Sequence, residues 1–593
     1  MNKKVDYLFE IAWEVCNKVG GIYTVVRSKS AQMIKHYKGN YVAIGPYFAD
    51  KVGHDFLPKD PDDKLKHVFD KLKRKNIVAH YGTWLIESKP NTILIDYSRF
   101  FSSKDEIKGG MWNDYHIDSI NSAYDYDEPV VWATAVGVLL EELSNVLHCN
   151  IVAHFHEWLA GPGLLYLKKH NVPIGTVFTT HATTLGRTMA ASNFELYAKK
   201  NKSYLLESLD INKLAYDYGV PAKHQLEKAT AQHADVFTTV SKITAIEAKY
   251  ILGRDPDILV PNGLDPAKIP DAEETHIKHK LYKSKIMEFL IPYFSPYYPI
   301  DVKDTYIFFI SGRYEFKNKG IDVTIKALSL LNNKLQKERS KKNVVVLFLI
   351  PANVKNPKPS VIESKALYED MEDSVDDNLN NIRENIVHSL AMQKLPTQME
   401  IFSKDFLNDI NQKMLSIKRD GDPPLSTHDL HGDKDTILES FAEFGLLNQK
   451  KDKVKVIFYP CYLTSSDGLL DLDYNSTMWG TQLGIFPSYY EPWGYTPLEC
   501  AGFGIPSLTT DLAGFGKYLE EEGKDSGIFL IRREGKTEKN VIDQIYTRFY
   551  KYVSLSKENR LKYKSKVQRF ARQCSWDSLI KNYIDAHNLA VKK

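Results

Sequence analysis

Two carboxylates with seven residues between them bound the segment Glu491-Pro-Trp-Gly-Tyr-Thr-Pro-Leu-Glu499. Pro492, Gly494 and Pro497 mark a loop between a strand-like Leu483-Gly-Ile-Phe-Pro487 and a helix-like Leu498-Glu-Cys-Ala-Gly502. Proline favours the first turn of a helix, and Thr496 can cap it. The free amides and dipole of such a helix start bind a phosphate group. Glu499, a turn further in, is placed for the hydroxyls of a ribose, while Glu491 sits on a loop facing a cleft. Together these groups suit a nucleotide sugar. The spacing alone reads more simply as a proline-bounded loop with solvated glutamates, and the surrounding residues reverse that preference.

Ser311-Gly-Arg313-Tyr-Glu-Phe-Lys-Asn-Lys319-Gly320 follows another strand-like run. Arg313 and Lys319 flank a short loop from which a guanidinium and an ammonium can converge on one diphosphate. Departure of a nucleoside diphosphate needs such neutralisation, and two cations supply it without a metal. Near the start of the chain, Lys18 precedes Gly20 and Gly21 at a strand-to-helix turn, where paired glycines let backbone amides approach a diphosphate or a sugar. His154-Phe-His156-Glu157-Trp158 ends one strand, and Thr179-Thr-His181-Ala-Thr-Thr-Leu-Gly-Arg187 ends the next. His154 and His156 point the same way without a clear third ligand, so hydrogen bonding to a sugar is favoured over metal binding. His181 is the group best placed to sit near an anomeric carbon. Asp471-Leu-Asp473 looks like a metal-binding pair, but alternating loop aspartates are common and this one is discounted.

Two parallel sheets would hold these groups at the carboxyl ends of their strands. Tyr41–Gly45, Thr92–Asp96, Ile151–His154, Thr176–Thr180 and Val236–Val240 read as buried strands in the first half. Tyr306–Ile310, Val344–Ile350, Val454–Phe458 and Leu483–Phe486 do so in the second. Alternation of such runs with helical patterns at Val130–Leu147 and Leu159–His170 predicts an α/β, doubly wound architecture with an inter-domain cleft. The predicted division is 1–285, a linker at 286–305, 306–540 with a charged helical insertion at about 353–432, and 541–593 as helices crossing back to the first domain.

At 593 residues the chain exceeds one hydrophobic core. A net charge of +3 from 78 basic and 75 acidic residues gives no case for nucleic acid or membrane binding. The 12% aromatic content hints at a carbohydrate cleft. Five scattered cysteines without a C-x-x-C indicate reduced thiols and a cytoplasmic protein. No apolar leader precedes Glu10, and no run approaches the roughly 20 apolar residues of a membrane span.

These motifs together resemble the eukaryotic-type glycogen synthases, glycosyltransferase family 3, along nearly the whole chain. The most specific matches are Glu14 to Val25, His154 to Gly161, Phe178 to Ala182, Gly312 to Gly320 and Phe486-Pro-Ser-Tyr-Tyr-Glu-Pro-Trp-Gly-Tyr-Thr-Pro497. The resemblance implies a GT-B fold and metal-independent, retaining transfer of glucose from UDP-glucose to the non-reducing 4-hydroxyl of glycogen or another α-1,4-glucan, without a cofactor. It assigns Arg313 and Lys319 to the departing diphosphate, Glu499 to the ribose, and Glu491 to the glucose 3-hydroxyl or the developing positive charge. Thr496 and its neighbours Tyr490, Trp493, Gly494 and Tyr495 surround the phosphate. Gly20 and Gly21, with Lys18, close over the donor; His181 lies against the glucose; His156, Glu157 and Arg187 shape the donor and acceptor side. Tyr462 and Tyr474 occupy positions where the family stacks uracil. The implied route is front-face attack, with the departing phosphate taking the acceptor's proton.

The resemblance also implies a homo-oligomer, a tetramer joined through the helical insertion, and a glycogenin-like primer protein as a possible partner. Animal and fungal members carry an arginine row near the C-terminus that binds glucose 6-phosphate. The stretch Leu579 to Lys593 reads as its counterpart and contains no arginine, so weak or absent activation is expected, as is the absence of long phosphorylated tails. The alternatives are a glucosyltransferase of the same fold using ADP-glucose or another donor, and a non-catalytic glycan-binding scaffold.

Overall fold

The computed structural model describes residues 4–200, 203–301, 304–432, 434–523 and 525–592. The first half builds a nine-stranded sheet from β1 (Tyr7–Ile11), β2 (Tyr41–Pro46), β3 (Phe56–Pro58), β4 (Val78–Trp84), β5 (Asn91–Asp96), β6 (Ile151–His156), β7 (Gly175–Thr180), β8 (Val236–Thr239) and β9 (Ile258–Leu259). Their order is β9-β8-β7-β6-β1-β2-β5-β4-β3, and every pairing is parallel except those of β4 with β3 and β5. β1, β6 and β7 are therefore central neighbours, and their carboxyl ends bring Glu10, His156 and the residues after Thr180 together. Sequence periodicity missed β3 and β4, a short antiparallel edge whose pattern is only half-buried.

Helices cover both faces. α1 (Gly21–Tyr37), α2 (Tyr124–Leu147), α3 (Glu157–Lys169) and α4 (Thr184–Ala191) belong to this domain. By length and composition α2 could cross a membrane, which the sequence reading did not expect; 72% of its most apolar window is buried inside the domain. It is a core helix, apolar on nearly all sides because protein surrounds it.

α5 (Ala272–Phe294) joins the halves. The stretch expected as a linker begins as the end of this helix: Ile286, Leu290 and Phe294 are buried against Ile307 and Phe309 of the second sheet. Its aromatic character thus reflects packing rather than an exposed connection. The second sheet contains β10 (Thr305–Ser311), β11 (Asn343–Leu349), β12 (Val454–Tyr459), β13 (Leu483–Ile485), β14 (Ser507–Thr510) and β15 (Phe529–Ile531), ordered β12-β11-β10-β13-β14-β15 and all parallel. Runs such as Asn-Val-Val-Val-Leu-Phe-Leu in β11 are buried on both faces, as parallel strands between helices require.

Between β11 and β12 project α6 (Pro359–Ala391) and α7 (Lys404–Ile417), packed on each other. α8 (Tyr495–Gly502) holds the second half of the Glu491–Glu499 motif, with Glu491 on the loop before it. The chain then runs through α9 (Glu538–Ser554) and α10 (Lys557–Gln573) to α11 (Trp576–Ala590). α11 returns to the first domain, where Tyr583, Ala586 and Ala590 pack with Leu8, Tyr41, Val177 and Val236.

Candidate active site

The wall from the second domain is built by two strand-to-helix turns. After β10, Gly320 takes φ +67, and a Cβ there would stand 2.3 Å from the Pro487 carbonyl oxygen. This close approach lays the 311–320 loop against the loop after β13. Lys319 consequently pairs with Glu491. Arg313 is turned away, largely exposed and paired with Glu315 at 2.9 Å, so the two cations do not converge in this structure. After β13, the cap of α8 is Gly494 at φ +96, a left-handed conformation that glycine adopts readily. Thr496, expected as the cap, is the second residue of the helix and makes no capping hydrogen bond. Ser311, Gly312, Lys319, Glu491, Gly494 and Thr496 line one cavity of about 60 Å³.

Glu499 lies a turn into α8. Burial raises its carboxyl above the usual range, with Lys268 partly opposing. Its carboxylate makes no hydrogen bond to a described residue, and the residue stays partly open. Tyr474 is close by, its hydroxyl 3.3 Å from Ser311 Oγ; burial first and then the Glu499 charge push its phenol up. Tyr462 stands 81% exposed, away from that enclosure.

Three residues assigned to the substrate are engaged in packing in this structure. Tyr490 enters the first domain, stacks on Tyr197 with ring centroids 6.3 Å apart and donates to Glu247 at 3.4 Å. Trp493 is buried with Val240, Leu264 and Phe515, and Tyr495 turns its ring into the adjoining apolar layer. Bulky aromatics beside a glycine-capped helix hold the turn between domains. Ser241 Oγ donates to the Pro492 carbonyl at 2.6 Å, and Asn318 Nδ2 to that of Ala190 at 2.9 Å. The loop of Glu491 is thereby docked on the first domain.

The opposite wall carries buried charge. Glu157 opens α3 at φ +64, a strained conformation for a residue with a side chain, and accepts from the His181 amide at 3.2 Å. Burial lifts its carboxyl to about 7, with Arg187 opposing. Glu227, which sequence reasoning missed, accepts from the Thr184 amide at 2.8 Å and is pushed up to about 8 by burial and by Glu157. Glu247, also missed, accepts from Thr183 and Tyr197, each at 2.6 Å. Arg187 is open to solvent, with Glu157, Tyr490, Glu227 and Glu247 around its guanidinium.

At the Gly20–Gly21 turn the amides of Gly20 and Tyr23 both donate to Glu14 at 2.8 Å. The helix start expected to approach a diphosphate therefore already holds a carboxylate. Lys18 is exposed on the rim of a separate small cavity with Arg27 and Lys268.

Behind His181 lies a chain of buried groups. His181 Nε2 is 3.0 Å from His156 Nδ1, and His156 Nε2 is 2.8 Å from Glu10 Oε1. Glu10 also pairs with fully buried Lys29 and accepts from Tyr41 at 2.5 Å. Glu10 supplies the third ligand-type group that the sequence lacked beside His154 and His156. The Lys29 ammonium already provides a cation to that carboxylate, and His154 is engaged by Thr179 at 2.6 Å and by His587 at 3.0 Å. Their hydrogen-bonding capacity is used within the protein, and the group does not need a metal. An acid inside the apolar strand Tyr-Leu-Phe-Glu-Ile was the available signal, since a carboxylate buried in a central strand demands partners.

The stretch 579–592 is mostly α11, turned to the first domain, and Lys593 lies outside the described residues. The cations gather one helix earlier, on α10, as Arg560, Lys562, Lys564, Lys566, Arg569 and Arg572. The expectation of weak activation, which rested on 579–593, loses its structural basis.

The sequence profile of the family described as glycogen synthase matches residues 10–593. Rat (Rattus norvegicus) liver glycogen [starch] synthase is 34% identical over 594 residues, covering 99% of this chain and 83% of the relative. Isoform 2 from Saccharomyces cerevisiae is 35% identical over 615 residues, covering 99% and 86%. Among solved structures, the catalytic domain of starch synthase IV from Arabidopsis thaliana, bound to ADP and acarbose, aligns over 100% of both chains with a TM-score of 0.50 and 14% identity. That likeness is one of fold, the two-domain GT-B architecture.

Proposed function

The chain belongs to the glycogen synthase family, and we propose that it transfers glucose from UDP-glucose to the 4-hydroxyl at the non-reducing end of an α-1,4-glucan, keeping the α configuration. The observation that carries this reading is the docking of the Glu491 loop on the first domain. Lys319, Glu491 and the start of α8 stand on one side, His181, Glu157 and Arg187 on the other, and Tyr490 ties them together. In this reading the diphosphate takes the free amides at the Gly494 cap, displaces Glu491 from Lys319 and draws in Arg313. Glu499 then receives the ribose hydroxyls, and Tyr474 the base.

In the transfer itself, the bond from the anomeric carbon to the phosphate oxygen breaks while the bond to the acceptor oxygen forms on the same face. The electron pair leaves with the diphosphate, and the proton of the 4-hydroxyl passes to the departing phosphate oxygen. Lys319 and Arg313 stabilise the charge that develops there, without a metal. His181 and Glu491 act as electrostatic supports, and closure of the domains limits hydrolysis by excluding water. The cytoplasm is the expected compartment, and a glycogenin-like protein the expected primer.

The test is the anomeric configuration of new linkages formed on glycogen, read by NMR with and without a chelator. Axial α products at an unchanged rate support the reading. Equatorial products, or activity abolished by the chelator, contradict it.

A further inference from the structure

The hydrogen bonds behind His181 can be assigned proton by proton. Glu10 is held by Lys29 and by the Tyr41 hydroxyl. Burial alone would raise its carboxyl, but Lys29 and His156 outweigh that effect and keep it well below the usual range. An ionised carboxylate accepts only, so His156 Nε2 must carry the proton it shares with Glu10. His156 is fully enclosed, which disfavours a second proton. Its Nδ1 is then an acceptor, and His181 Nε2 must be the donor across the 3.0 Å contact. Enclosure keeps His181 neutral as well, so its Nδ1 bears no proton. That atom makes no hydrogen bond to a described residue and is not among the sealed polar atoms.

We propose that Glu10 and Lys29 are positioning residues which, through His156, fix the tautomer of His181 so that its Nδ1 accepts a hydrogen bond from a hydroxyl of the sugar in the cleft. Neither charged group touches substrate. Both side chains are fully buried. The second histidine row is assigned in the same way and ends elsewhere. Thr238 donates to the Phe178 carbonyl and Thr179 to Thr238, so His154 Nε2 donates to Thr179, its Nδ1 accepts from His587 Nε2, and Tyr37 donates to His587 Nδ1. That row latches α11 to the first domain and leaves no free acceptor for a ligand. The two rows touch by stacking of His154 on His156, ring centroids 4.3 Å apart.

The identity of the sugar rests on the glucosyl-transfer reading, whereas the tautomer does not. Histidine-selective 15N NMR of the wild-type chain, with His181 assigned by its loss in His181→Asn, should show the proton on Nε2 and none on Nδ1. A proton on Nδ1 would overturn the proposal. In parallel, kcat/KM is compared for UDP-glucose and its monodeoxy analogues. Wild type should lose about tenfold on one analogue, the worth of a single hydrogen bond. His156→Asn, whose amide oxygen can replace the Nδ1 acceptor, should keep that penalty, and His156→Phe should erase it. A His156→Phe enzyme that discriminates like wild type would sink the idea. The paired change Glu10→Leu/Lys29→Met removes both charges together and should release the His181 proton to both nitrogens; an unchanged spectrum would contradict the role given to Glu10 and Lys29. A wild type that turns over no UDP-glucose would remove the transfer reading and leave the NMR result to decide the relay.

Discussion

Lys319 is paired with Glu491 in this structure, and in the proposed reaction an arriving diphosphate exchanges one carboxylate for two phosphate charges at the same ammonium. Because that charge grows as the bond to the sugar breaks, the loss on truncation belongs to kcat. Lys319→Ala is expected to lower kcat about 100-fold or more while leaving thermal stability near wild type, checked by turnover and melting measurements. Arg313, reaching in only from its pairing with Glu315, was as legible in the sequence as Lys319, because both flank one short loop. Glu227 and Glu247 were not legible, since each reads as an ordinary helix charge until the fold turns it inward. Glu227, together with Glu157, is expected to shape the pH dependence of stability. Glu157 and Glu227 have carboxyls at about 7 and about 8, against about 4.3 in an unfolded chain. The native state thus holds extra protons between those limits, and this contribution is full below the unfolded value and lost as pH rises through 7 to 8. Melting temperature should fall across that range in wild type, and less steeply in Glu227→Gln. An identical slope in the variant would refute the assignment.

The same division between pattern and packing holds for whole elements. The parallel strands were readable because both faces of β10, β11 and β12 are buried and their sequences are mostly apolar, Lys455 being the one charge among them. The end of α5 was misread because proline and aromatic residues also mark linkers, and only the neighbouring sheet distinguishes the two. The cap of α8 was misread for a local reason: Thr496 has the right chemistry, but Gly494 has the backbone freedom that the turn requires. Gly494→Ala places a side chain at φ +96 and should cost about 1 kcal/mol of stability. It should also raise the donor KM severalfold, because the amides that receive the phosphate are re-aimed; unchanged donor kinetics would count against α8 as the phosphate site. At the other end of the chain, α11 buries Trp576 fully. Trp576→Ala should cost about 3–5 kcal/mol, seen as a drop in the denaturant midpoint.

The molecule holds its two domains together through contacts that include those of the loop carrying Glu491. The cavity beside Lys319 and Glu491, about 60 Å³, is far smaller than the few hundred Å³ of typical ligand sites, so donor binding is expected to widen it. On the far side, α6 exposes Leu379, Val387 and Leu390, and α7 exposes Leu415. We propose that these helices join copies of the chain into a tetramer. Leu379→Glu/Leu390→Glu should then yield smaller particles by light scattering, and an unaltered mass would refute that role. The central claim is the donor site, and the most direct measurement is nucleotide release on glycogen from UDP-glucose and from ADP-glucose, in wild type and in Glu499→Gln. The account predicts that UDP-glucose is preferred and that Glu499→Gln loses most of its turnover at limiting donor. Preference for ADP-glucose, or full activity in Glu499→Gln, would contradict it.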